Sequence, residues 1–160
     1  MATPDWINPD AVRLLVGGLI GKQVPARLGP PLTPSPETPM AIAVYVTDKN
    51  EIGGLVYCDV PLAASIGASF ILLPPGATAD AVKGNKVPEN LAENCREVLN
   101  VAARWFNAPP RPHVRLADVA WNQTAMPPEL ASYAQAANTR IDVSLAIPGY
   151  PVGTLTILAA

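Results

Sequence analysis

Residues 88–106 read PENLAENCREVLNVAARWF, and their apolar residues recur at helical spacing. At about 100° per residue, Leu91, Cys95, Val98, Ala102 and Trp105 fall on one side of the helix, and Leu99, Ala103 and Phe106 widen that side. Glu93, Glu97, Asn100 and Arg104 fall opposite, within an arc of roughly 60°. The spacing therefore predicts an amphipathic helix that buries the first set and shows the second. Pro88 suits the first turn, and Ala108-Pro109-Pro110-Arg111-Pro112 ends the element. On pattern alone the polar stripe is an ordinary solvated face. Asn100 is its least explained member, because in mid-helix an Asn side chain competes for backbone hydrogen bonds.

Upstream, Asp59-Val60-Pro61 leads into a second helix over Pro61 to about Leu73, where Leu62, Ile66, Phe70 and Leu73 keep helical spacing until Pro74-Pro75-Gly76. Before it, Met40 to Thr47 alternates and Ile52 to Asp59 reads as a returning strand, joined through Asp48-Lys49-Asn50-Glu51. Gly53-Gly54 marks a bulge or close backbone contact. Asn8-Pro9-Asp10 caps a helix that runs to about Lys22. Between them, Val24 to Pro39 holds six prolines and reads as an extended loop. Residues 74–87 read as a loop. Downstream, Val114 to Trp121 is a strand, and Ala125 to Ala137 is ambiguous, with Pro127-Pro128 suited to starting a short helix. Arg140–Ile147 and Val152–Leu158 flank Pro148-Gly149-Tyr150-Pro151 as a second hairpin. The order α-β-β-α-α-β-(α)-β-β predicts an α+β fold, a mostly antiparallel sheet with helices packed on one face. The expected organisation is a single domain over residues 1–160 with a proline-rich loop at about 24–39.

Bulk properties narrow the function classes. The chain has 160 residues, 49% of them apolar, and a formal charge of −2, so it has a core and no basic footprint for nucleic acid. The apolar run Pro61–Leu73 is too short to span a bilayer, and the start carries Asp5 and Asp10 with no basic region, so neither membrane insertion nor a signal peptide is expected. Cys58 and Cys95 stand alone in sequence, which favours buried free thiols in a reducing cytoplasm over a disulfide or zinc site. The one histidine, His113, has no Cys, Asp or Ser pattern around it. No glycine run is followed by Gly-Lys-Ser/Thr, so there is no phosphate loop. Trp6, Trp105 and Trp121 read as core or dimer contacts.

Glu93-x-x-x-Glu97-x-x-Asn100 resembles the Asp/Ser-x-x-x-Glu-x-x-Asn signature of the CheC/CheX/FliY chemotaxis phosphatases. The order of elements around it is similar to CheX, which carries one such helix. The resemblance implies a CheX-like protein that dephosphorylates the aspartyl-phosphate of a CheY-type response regulator. Asn100 would orient the attacking water, and Glu97 would pair with a lysine of the regulator. Residues three apart on a helix point the same way, so both can enter one pocket. Glu93 and Arg104 would flank the pair as partner-binding residues. The resemblance implies no cofactor of the chain's own, Mg²⁺ on the partner receiver domain, and dimerisation through the sheet.

Glu93 stands where the signature has Asp or Ser. Arg104 stands where CheX-like sequences usually have glycine; a long cation there either obstructs docking or pairs with an acidic regulator surface. Two other readings stay open: a non-catalytic receiver-binding adaptor on the same fold, and an interaction protein whose contact surface is the sheet edge.

Overall fold

The computed structural model describes residues 5–160. Helix α1 (Pro9–Ile20) begins where Asn8 Oδ1 accepts the Ala11 amide at 2.9 Å, with Pro9 supplying a preset first turn. Gly21 ends it at φ +71°, a left-handed conformation that costs glycine little. The proline-rich segment is extended and contributes only a three-residue edge strand, β1 (Ala26–Leu28). Strands β2 (Met40–Val46) and β3 (Ile52–Asp59) form the first hairpin. Its register slips between Tyr45 and Val46, leaving Gly53 as the extra residue between their partners Gly54 and Ile52.

Helix α2 (Val60–Phe70) follows β3 without a loop. The Asp59 carboxylate caps it, accepting the Leu62 amide, and its second oxygen accepts the Thr154 amide, both at 3.0 Å. The segment read as a loop holds a 3₁₀ turn (Pro75–Thr78) and a short helix, α3 (Ala79–Gly84). Six residues are too few to show a period in sequence, and the element rests on burial of Ala81 and Thr78. Then come α4 (Glu89–Val101), a 3₁₀ turn (Ala102–Trp105), β4 (Arg115–Gln123), α5 (Pro128–Ala136), β5 (Thr139–Leu145) and β6 (Gly153–Ala159).

The six strands lie in the order β1-β5-β6-β3-β2-β4, and every neighbouring pair is antiparallel. The protein is α+β, as the hairpins predicted. Ala41, Ala43, Tyr45, Val56, Cys58, Val143 and Ile157 project to the face that α1, α2 and α4 cover. Met40, Ile42, Leu55, Tyr57 and Leu158 project to the other, where Leu32 of the proline-rich loop and Leu130 of α5 close over them. The long helices thus share one face, and the short α5 lies across the opposite one. The second covering layer explains why β2, β3 and β6 are largely buried on both sides, whereas β5 alternates.

Candidate functional site

Helix α4 is the element that the sequence singled out, and three contacts fix its position. Beneath it, α2 crosses so closely that a β-carbon on Gly67 would stand 2.2 Å from the Leu91 carbonyl oxygen. Only glycine permits that approach. Near its C-terminal end, the buried Tyr45 hydroxyl donates to the Leu99 carbonyl at 2.6 Å. Ahead of its first turn, Asn122 holds Val87 on both backbone groups: its Oδ1 accepts the Val87 amide at 2.8 Å and its Nδ2 donates to the Val87 carbonyl at 3.2 Å. Asn122 reaches it from φ +54°, a conformation that Asn tolerates better than most residues. An exposed ion pair, Arg96–Asp118 at 3.7 Å, adds a weak tie to β4.

With the helix so held, Leu91, Cys95, Val98 and Leu99 are buried. Glu93, Glu97 and Asn100 are exposed, and Glu97 and Asn100 stand three residues apart on one solvent-facing stripe. The structure brings these three together on a single face.

Arg104 is exposed but leaves the stripe. The α-helix stops at Val101, and Arg104 sits in the 3₁₀ turn that continues the chain. A tighter turn of about 120° per residue rotates it by roughly 60° relative to a continued α-helix. It lines a groove of about 530 Å³ against α1, with Leu14, Leu15, Gly18, Leu19, Val101 and Trp105 among its neighbours there. The sequence reading of one unbroken helix to residue 106 is corrected at this point: Val101 to Phe106 packs into the corner among α1, Trp6 and Tyr45, and the Phe106 ring meets both aromatic rings at a tilt of about 40°.

Glu93 borders a second concavity, of about 830 Å³, at the other end of α4, together with Lys86, Glu89, Arg96, Trp121 and Asn122. Trp121, which the sequence suggested as core or a dimer contact, is half-buried in its wall. Asn122 and Leu14, which line these two concavities, were not singled out by the sequence, since neither belongs to the helix with the Glu-x-x-Asn spacing.

The remaining reactive side chains lie elsewhere. Burial pushes the Cys58 thiol well above its ordinary range and the Cys95 thiol up to about 12, so neither is an available nucleophile. Burial also raises the Asp59 carboxyl to about 6, against the lowering effect of its two amide donors. His113 is exposed. Among the described residues, no three His, Cys, Asp or Glu side chains cluster as a metal site requires. None of the described helices is long and apolar enough to cross a membrane. The exposed stripe can offer a carboxylate and an amide to a partner, with no reactive centre of its own.

No protein-family model matches the sequence, and no curated protein matches it in sequence. Solved structures match it in fold. A chain of the FliM–SpeE complex from H. pylori superposes with a TM-score of 0.61 at 9% identity, covering 94% of this chain and 80% of that one. FliY from Thermotoga maritima gives a TM-score of 0.55 at 10% identity, over 100% of this chain and 92% of that one. A chain of the CheX–CheY–BeF3–Mg²⁺ complex from Borrelia burgdorferi gives 0.52 at 14% identity, over 96% and 97%. The chain therefore has the CheX/FliY-like fold that FliM also shares, over nearly its whole length.

Proposed function

We propose that this protein is a CheX-like phosphatase that hydrolyses the aspartyl-phosphate of a CheY-type receiver domain. One observation carries the reading: in a chain of this fold, Glu97 and Asn100 project together to solvent from a helix whose position is fixed by Gly67, Tyr45 and Asn122. Glu97 docks by pairing with a lysine of the receiver. Asn100 enters the receiver's site and orients a water in line with the phosphorus–oxygen bond to the aspartate. The water oxygen bonds to phosphorus, the acyl-phosphate bond breaks, and inorganic phosphate and a free aspartate carboxylate result. Mg²⁺ on the receiver carries the phosphoryl charge, so positioning is what this chain supplies. A rigid helix suits that task, since a displacement of about 1 Å can cost ~100-fold in rate.

The test is phosphate release from phosphorylated receivers of the same organism. Asn100→Ala lowers kcat, and Glu97→Ala chiefly raises KM. Unchanged release by the Asn100 variant overturns the assignment.

A second reading, a non-catalytic adaptor for a receiver or a flagellar-switch partner, is favoured by Arg104, which stands where the resembling sequences have glycine. It predicts receiver binding without phosphate release. The outer side of β4 has no strand partner among the described residues, and a second copy would extend the sheet there. Such a dimer is compatible with either reading.

A further inference from the structure

The geometry points to a second half of the docking surface, on the α1 side of Asn100: Arg104 and the apolar groove beside it seat an apolar side chain of the phosphorylated receiver next to one of the receiver's carboxylates. The inference rests on the phosphatase or adaptor reading for its partner, and it deepens that reading by naming what selects the receiver.

Four observations carry it. The groove is open and apolar along α1, with Leu14 63% exposed at its rim. Gly18 leaves space in its wall, since a β-carbon there would meet nothing within 4 Å. Val101, directly after Asn100, forms the opposite wall, so a macromolecule seated over Asn100 also covers the groove. Arg104 stands at the margin with no ion pair or hydrogen bond among the described residues. Arg13, Arg96 and Arg140 are each tied to a carboxylate, Arg115 to Asn50, and Arg111 to the Gly53 carbonyl and the Trp6 ring, whereas Arg27, exposed on the edge strand β1, shares with Arg104 the lack of a partner among the described residues.

Charge complementarity selects the occupant. A receiver's phosphoryl site holds Mg²⁺ through carboxylates, because a hard cation takes oxygen ligands, so the surface that meets Asn100 is acidic. A free guanidinium one turn from Asn100 suits such a carboxylate, and a fork of donors binds it more specifically than an ammonium would. A leucine held 63% exposed beside that cation then supplies the apolar part of the contact. An apolar core with a charged rim is the usual anatomy of a specific interface.

The experiment uses the full chain and a panel of receiver domains from the same organism, tested both phosphorylated and activated with beryllofluoride. Leu14→Ser and Arg104→Glu alter exposed side chains, and thermal melts check that each variant is folded. The expected result is a rise of about tenfold in KM, or in Kd for the activated receiver, for each variant, with the loss expressed there rather than in kcat. Changing one acidic residue of the receiver to lysine should restore binding to Arg104→Glu alone. If wild type releases phosphate and both variants keep its KM, the docking inference is overturned and the phosphatase reading stands. If wild type binds the activated receiver through Leu14 and Arg104 yet releases no phosphate, the inference holds and the phosphatase reading falls to the adaptor. If Leu14→Ser abolishes self-association and leaves receiver binding intact, the groove belongs to a second copy and the inference is overturned. Absence of any receiver binding by wild type overturns both.

Discussion

Gly67→Ala separates two effects of opposite sign. In an ordinary helix interior the change stabilises by ~1 kcal/mol, because alanine loses less backbone freedom than glycine. Here the new β-carbon would stand 2.2 Å from the Leu91 oxygen, 2.9 Å from its carbonyl carbon and 3.0 Å from its α-carbon. All three are backbone atoms of α4 and cannot rotate away, so α2 and α4 must separate by about 1 Å to restore contact distance. Overpacking of this kind costs ~1–3 kcal/mol, and three simultaneous backbone clashes place it toward the upper end. The net loss is then ~1–2 kcal/mol, which for a chain of this size lowers Tm by about 2–8 °C. Circular dichroism melts and urea midpoints read it directly. A Tm that rises by about 2–4 °C would refute the close crossing, and with it the claim that α2 fixes the height of the signature helix. If receiver phosphate is the substrate, the same shift of α4 lowers kcat/KM more than the stability loss alone explains, because ~1 Å matters to an oriented water.

Three further outcomes follow from the core. Tyr45→Phe removes the buried bond to the Leu99 carbonyl and should cost ~1–1.5 kcal/mol in urea unfolding, with no change in m-value. Burial holds the Asp59 carboxyl at about 6 against an ordinary 3.8, so between those values the folded chain keeps a proton that the unfolded chain releases. Its contribution to stability is complete below about pH 4 and is lost as pH rises through about 6, an effect on the order of 3 kcal/mol; melts of wild type against Asp59→Asn across pH 4–7 should show the difference drifting by that amount, and a flat difference contradicts it. Cys58 and Cys95 should resist a thiol reagent in the native protein and react in denaturant, and rapid native labelling would contradict their burial.

The parts of the fold that were legible carry strong local signals. Asn8-Pro9 at α1, the alternation from Met40, and the apolar spacing from Leu91 to Leu99 each correspond to an element close to its expected place. The parts that were missed depend on tertiary packing. Helix α3 is too short to show a period, and strand order follows from which apolar faces meet, which no local pattern encodes. The shared exposed face of Glu93, Glu97 and Asn100 was legible because an uninterrupted α-helix preserves spacing as direction. Arg104 was misplaced for the same reason: periodicity assumes a constant turn, and packing of Trp105 and Phe106 tightens the chain after Val101. Asn122 escaped notice because its role is a backbone clamp 35 residues away in sequence.

The most direct test is the decay of a phosphorylated receiver from the same organism, followed with catalytic amounts of wild type or of Asn100→Ala after melts show the two equally folded. Faster decay with wild type, reduced by about 100-fold or more in the variant, is the predicted result, since removing one oriented polar group from a reacting site costs that order. Equal acceleration by both proteins would contradict the assignment of Asn100 as the residue that positions water.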